Sequence, residues 1–248
     1  MGELQKINDL ILDSCLAKGF YRMQQNIFTT NIIFQEEEIM PVFWLRTPLN
    51  KIRISSSIKE ILRKNKNFDI SIEIFENNEE IEELFALYKS SIDFETSTTV
   101  DAYLFDQTDS NIFESVAIKI RDKGVLIAIG IFDKGRHSLA GIMNFYHPDY
   151  KKYSLGKFLM IQKMIYGLEN NFEFYYTGYI STGTRKFDYK IFPNEEAMEI
   201  WHPFEMKWYP YQLLTKEVLT EIFELQINNS IPEIINSNLE NDDKKLEA

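Results

Sequence analysis

What this chain has little of narrows its chemistry first. It carries one cysteine, Cys15, so neither a disulfide framework nor a cysteine-based zinc or iron–sulfur site can be assembled. Its three histidines, His137, His147 and His202, stand apart with no His-x-x-x-His spacing, and no metal site is expected. No apolar run reaches the roughly 18 residues that a membrane-crossing helix needs. The first thirteen residues are amphipathic and acid-bearing and do not read as a signal peptide. A cytoplasmic location with no membrane partner is the expectation, and oligomeric state is not legible. Positive charge is short as well: 27 Lys and Arg against 38 Asp and Glu give a formal net charge of −11, opposite in sign to the usual nucleic-acid binder.

What is present is a globular composition, 44% hydrophobic over 248 residues, enough for one large domain or two small ones with a full core. The scarce cations are concentrated. Lys51 to Lys66 holds six of them (Lys51, Arg53, Lys59, Arg63, Lys64, Lys66) against Glu60 alone, and Lys151, Lys152 and Lys157 form a second cluster. Because screening confines a charge to about 10 Å, a basic face on an acidic protein can still meet phosphates. The plainer alternative is a solvated helix face.

Periodicity predicts the elements. Residues 3–17 space Leu4, Ile7, Leu10, Ile11 and Cys15 as a helix that Gly19 ends. Strands are expected at 27–34 and 39–46, joined by an acidic turn, then a helix from the Ser55-Ser56-Ser57 cap to about Lys66. Phe68 to Phe75 alternates as a half-buried strand. A helix opens at Asn77-Asn78, and Asp93 to Asn111 reads as a loop with a short helix near 102–106. Strands 113–120 and 125–133 form a hairpin through Asp122-Lys123-Gly124. Past Lys190 the chain is aromatic-rich and broken by prolines, Thr215 caps a last helix to about Leu225, and 237–248 reads as a disordered tail.

The chain is organised around Ser138 to Lys190. An apolar strand, Leu139 to Tyr146, meets a His147-Pro148 break and a short polar loop. Ser154 then stands at the cap position of a helix that is apolar nearly all round, and a second strand follows at Phe172 to Thr177 with a Gly178-Tyr179 exit. In such a βαβ unit the helix N-terminus is a natural anion site. The turn Ser154-Leu155-Gly156-Lys157 is therefore a candidate for a phosphate. It has one glycine, which supports a pyrophosphate of coenzyme A less well. Lys190, in Asp188-Tyr189-Lys190, is a candidate to contact a phosphate. His147, with an ordinary pKa near 6.5, is a candidate general base, or simply a turn residue.

Phe145-Tyr146-His147-Pro148, Ser154-Leu155-Gly156, Tyr176-Thr177-Gly178-Tyr179 and Asp188-Tyr189-Lys190, in that order and spacing, resemble the C-terminal half of the aminoacyl-tRNA–protein transferases, the arginyl/leucyl N-end-rule transferases. His147 replaces the acidic residue usual before the proline, and Thr177 a leucine. Upstream, Gly19-Phe20-Tyr21-Arg22, Arg46 and the basic segment Ser57–Asn65 are similar to family segments, and Asp133 stands where the family has an aspartate. The family's cysteines are missing: Thr30, Asn31 and Glu36-Glu37-Glu38 occupy that stretch.

The resemblance implies an α/β fold with a mixed sheet. A GNAT-like transferase domain is expected at 111–236, and a smaller α/β region at 1–110 is a candidate degenerate second GNAT-like half. It implies transfer of arginine or leucine from charged tRNA to a protein N-terminal amine, with no cofactor. Catalytic roles are expected for Asp133, Tyr146 and His147. Substrate contacts are expected from Arg22, Ser154, Leu155, Gly156, Lys157, Tyr179, Tyr189 and Lys190, and nucleic-acid contacts from Lys59, Arg63, Lys64, Lys66, Lys151 and Lys152. The alternatives are an acyl-CoA-dependent N-acyltransferase and a non-catalytic binding protein on the same fold.

Overall fold

A computed structural model describes residues 6–35, 38–94, 96–105, 111–214 and 217–225. In chain order the elements are helix α1 (Asp9–Ala17), strands β1 (Tyr21–Met23), β2 (Asn26–Phe28), β3 (Ile32–Gln35) and β4 (Glu38–Pro48), helix α2 (Ser56–Asn65), strand β5 (Asp69–Ile74), and helices α3 (Glu79–Ser90) and α4 (Val100–Leu104). Strands β6 (Ser115–Asp122), β7 (Val125–Lys134) and β8 (Ser138–Tyr146) follow, then helix α5 (Leu155–Glu169) and strands β9 (Phe174–Ser181), β10 (Glu199–His202) and β11 (Lys207–Pro210). Residues 217–225 are helical. No described helix is long and apolar enough to cross a membrane.

β1 and β2 form a separate hairpin. The rest build one mixed α/β sheet of order β11-β10-β4-β9-β8-β7-β6-β5, with β3 paired to β4. Every pair is antiparallel except β8 with β9. That parallel pair follows from the helical crossover through α5, and β7 lies antiparallel beside β8 as the short intervening turn requires. The turn between β6 and β7 places Lys123 and Gly124 at φ of 51° and 87°, the left-handed pair that a two-residue hairpin demands. The division expected at residue 110 runs through this sheet: β4 and β5, from before it, pair with β9 and β10 and with β6, from after it.

α2 and α5 cover one face, where α5 buries Leu155, Phe158, Leu159, Ile161 and Met164 against Ile127, Phe132 and Leu139. Each such side chain contributes about 1.5–3 kcal/mol. α3 and α4 cover the other face with Ile81, Leu84, Phe85, Val100 and Leu104 on Ile129, Ile131 and Phe145.

Some expectations need correction. β5 is exposed at every position, not half-buried, because it is the outermost strand. The strand expected at 27–34 is two strands, β2 and β3, belonging to different sheets. β9 does not end at Gly178: it bulges there, Leu45 facing Gly178 and Arg46 facing Tyr176, and continues to Ser181. The aromatic segment after Lys190 folds as the β10–β11 hairpin, with Trp201 opposite Trp208. The acidic turn at 36–37, Thr215 and the tail lie outside the described residues.

Candidate active site

Among the described strands the one parallel pair, β8 with β9, lies in the middle of the sheet and is short. β8 and β9 are paired over Ser138–Ala140 with Phe174–Tyr176 and no further. Beyond that, β8 keeps to β7 as far as Tyr146, while β9 keeps to β4 as far as Ser181. The two strands part at their carboxyl ends, where open α/β sheets bind ligands. Each turns an unshared strand edge towards the gap.

The β8 edge is shaped by a bulge. Ile131 faces Met143 and Phe132 faces Gly141, so Ile142 is an extra residue that bends β8 away from β9. Lys163 of α5 reaches into the bulge. Its ammonium donates to the carbonyls of Ile131 at 2.8 Å and Met143 at 3.1 Å, one from each strand, and the residue is 0% exposed. Burial pushes its pKa down to about 7, with Asp133 opposing. Glycine is needed at 130 to let it pass, since a β-carbon there would lie 3.0 Å from Lys163 Cε and 2.8 Å from Asn144 Oδ1.

The walls of the gap are aromatic. The phenol of Tyr189 is raised by burial and by its neighbours Tyr88, Tyr103 and Tyr179. Burial likewise raises Tyr88, Tyr103 and Tyr179. Yet Tyr103 and Tyr189 expose 40% and 50% of their surface. The aromatic wall is therefore open to solvent at Tyr103 and Tyr189. Tyr146 joins this wall, its ring 5.5 Å from that of Tyr88 and its edge against Gly156 at the start of α5. Behind Tyr179 the edge of Trp44 is 5.2 Å away, and Trp44 stacks on Tyr21 at 3.6 Å.

Lys190 sits on the 3-10 turn Asp188–Ile191 with its ammonium 4.1 Å from the Tyr179 ring and 4.9 Å from that of Phe187. Burial and, secondarily, Lys186 lower its pKa to about 8. Gly178 is required beneath it twice over: its φ is +110°, and a β-carbon would lie 3.1 Å from Lys190 Nζ. The same loop walls a separate hollow of about 290 Å³ with Tyr211, Leu214 and Leu219.

Arg22 and Asp133 lie in the interior. They form a 2.9 Å ion pair with side chains 2% and 0% exposed. Arg22 also donates to the carbonyls of Gln24 and Leu104, and Ser115 Oγ donates to Asp133 at 2.6 Å. Burial lowers the Arg22 pKa and raises that of Asp133, each moderated by the other. The pair ties β1 to β7, β6 and the end of α4, and so fixes Tyr103.

Ser154 occupies the position before α5 at φ 56° and makes no side-chain cap, because a left-handed residue points its hydroxyl away from the first amides. Its carbonyl accepts from Phe158 N. His147 lies at the 3-10 turn Pro148–Tyr153, where Nδ1 accepts from Asp149 N at 3.3 Å and its ring meets Tyr150 edge-on. That is a capping geometry. Lys59, Arg63, Lys64 and Lys66 are exposed on and just after α2, and Lys151, Lys152 and Lys157 are exposed at the start of α5. Asn65 Nδ2 donates to the Tyr153 carbonyl at 3.0 Å, and Phe68 packs on Tyr150 and Tyr153. These contacts bring the two basic segments side by side, and none of the seven cations is in an ion pair among the described residues. Among those residues there is also no group of three metal-ligating side chains.

The structure therefore gathers Tyr146, Gly156, Tyr179, Tyr189 and Lys190 around the parted strands, places the basic clusters side by side, and buries Arg22 and Asp133 next to Tyr103 and Lys163. Lys163, Tyr88 and Tyr103 were not singled out from sequence. A lone lysine at an apolar position of α5 was the one available signal.

Residues 80–197 match the family model described as arginine-tRNA-protein transferase, C terminus. An aspartate/glutamate leucyltransferase of Leptospira interrogans is 28% identical over 192 residues, covering 75% of this chain and 73% of that one. One from Shewanella amazonensis is 27% identical over 218 residues, 85% of this chain and 81% of that one. Arginyl-tRNA–protein transferase 1 of Arabidopsis thaliana is 31% identical over 106 residues, 41% of this chain and 16% of that one. Among solved structures, L-PGS from Bacillus licheniformis aligns with 60% of this chain and 47% of that one at a TM-score of 0.42 and 10% identity.

Proposed function

We propose that this chain, whose residues 80–197 match the arginine-tRNA-protein transferase C-terminal model and which is similar over most of its length to leucyltransferases, is an aminoacyl-tRNA–protein transferase that moves an amino acid from a charged tRNA to the N-terminal amine of a protein. The relatives matched over most of their length are named aspartate/glutamate leucyltransferases. Leucine is accordingly the proposed donor residue, and an N-terminal Asp or Glu the proposed acceptor.

The observation that carries this is the parting of β8 and β9 beside a solvent-open aromatic wall, with exposed cations on α2 and at the start of α5. The basic face is suited to tRNA phosphates and the cleft to the aminoacyl end. The ester is already activated, so the protein must hold and orient. The acceptor nitrogen attacks the ester carbonyl carbon and a C–N bond forms. The negative charge collects on the carbonyl oxygen, the C–O bond to the terminal ribose breaks, and the amine proton passes to that ribose oxygen. The unshared β8 edge at the bulge supplies backbone N–H donors for the transient oxyanion, and Lys163 keeps the bulge in shape. Tyr146 is the cleft hydroxyl proposed to relay the proton. Asp133 and Arg22 act through the position of Tyr103, and His147 through that of the Pro148–Tyr153 turn.

Incubating the full chain with leucyl-tRNA or arginyl-tRNA and peptides of differing N-termini, with acetyl-CoA in parallel, tests this. Transfer from leucyl-tRNA to Asp- or Glu-initiated peptides is expected. Acetylation without aminoacyl transfer would overturn it.

A further inference from the structure

We propose that Lys190 is the residue that selects the acceptor, binding the side-chain carboxylate of its first residue in a box of ring faces. This deepens the reading above and rests on it.

A desolvated cation is costly unless it is paired. Four of the most enclosed cations follow that rule: Arg22 is held by Asp133, Arg46 by Glu199, Lys119 by Glu73, and Lys163 by two carbonyls, while half-buried Lys186 rests over the Phe94 and Phe187 rings. Lys190 departs from it. Its ammonium rests among the rings of Tyr179, Phe187 and, at 6.0 Å, Tyr189, and no carboxylate lies within ion-pair distance among the described residues. The position is built, not incidental. Gly178 clears the path for the lysine stem, and the Tyr179 and Phe187 rings meet at 4.9 Å and 61° to make the corner that receives its head. A cation kept short of solvent and left without an anion is arranged for one that arrives with the ligand.

The cleft position says which anion. Tyr179 and Tyr189 belong to the wall on which the acceptor must lie, whereas the phosphate-matching cations are exposed and numerous on the α2–α5 face. One recessed ammonium matches one small anion, the carboxylate of an Asp or Glu side chain. The charged and titratable groups that face it are Lys186, Tyr179 and Tyr189. Its own ammonium is therefore the group expected to titrate near pH 8.

The test is calorimetric binding to the full chain, without tRNA, of peptides identical except for an N-terminal Glu or Gln. The wild-type chain is expected to prefer Glu at least tenfold at pH 7, with the preference falling as pH rises through about 8. K190M should abolish the preference. K190R, which keeps the charge, should retain most of it and carry it unchanged to pH 9. The proposal is overturned if wild type shows no preference, if K190M keeps it, or if K190M weakens Glu and Gln peptides equally. Because binding is measured without transfer, a chain that prefers Glu through Lys190 yet transfers nothing would contradict the proposed activity alone. A chain that transfers to Glu and Gln peptides alike would contradict only the role of Lys190.

Discussion

At the scale of single residues, two buried charges make opposite demands. Lys163 has a pKa of about 7 in the fold, against roughly 10.4 in an unfolded chain. Between those values the unfolded chain holds the extra proton, so stability rises with pH. Below pH 7 both states are protonated and the burial penalty is present in full. K163M removes this dependence. The stability difference, wild type minus variant, should therefore grow in favour of wild type by about 2.5 kcal/mol between pH 6 and pH 9, at up to ~1.36 kcal/mol per pH unit inside the window. Denaturant midpoints for both chains at the two pH values read it, and a gap that does not move would refute it. The Arg22–Asp133 pair is different in kind: replacing Arg22 with Met leaves a carboxylate buried without its partner. A loss of about 3–5 kcal/mol is expected. A loss under about 1 kcal/mol would mean that the pair does not tie the strands together.

At the scale of elements, the bulges in β8 and β9 shape the cleft. Gly178 is the sensitive point of the second. G178A places a β-carbon where φ is +110° and 3.1 Å from Lys190 Nζ, and should cost at least about 1–2 kcal/mol. It should weaken Glu-peptide binding as K190M does, and normal Glu-peptide binding by G178A would show that the lysine does not need that path. The strands around the bulges were legible because β6, β7 and β8 carry alternation or apolar runs bounded by turn residues, and the β6–β7 turn announces itself in Lys123-Gly124. The bulges were not, because a register shift leaves no mark in hydrophobic period. Gly178 read as a strand exit for that reason. β5 misread for another: Ile70, Ile72 and Ile74 alternate as if half-buried, but alternation does not reveal that no element covers the sheet margin. The aromatic β10–β11 segment was hidden by its prolines.

At the scale of the molecule, a chain of net charge −11 gathers exposed cations from two segments onto one face. The clusters were visible in sequence, as was the start of α5 after Ser154. Their adjacency was not, since it depends on Asn65 reaching the Tyr153 carbonyl across 88 residues. The residues that the sequence placed in the site divide by the same logic. Tyr179, Tyr189 and Lys190 are local to the parted strand and lie together, while Arg22 and Asp133, far apart in sequence, pair in the interior beside Tyr103 and Lys163. If the face binds tRNA, the double substitution K64E with K157E should reduce tRNA affinity at least tenfold with little change in thermal midpoint, because both residues are exposed. Wild-type affinity should fall by roughly 0.7–0.9 log unit per log of salt for each phosphate contacted. Unchanged affinity in the double variant would leave the cations as a solvated surface.

The central claim is that the parted strands and the basic face together serve aminoacyl transfer. Mass spectrometry of a Glu-initiated peptide after incubation with the full chain and leucyl-tRNA decides it most directly. The account predicts one leucyl residue added at the N-terminus of the wild-type reaction and a greatly reduced yield with the K64E/K157E chain. A peptide that returns unmodified with every charged tRNA offered would contradict it.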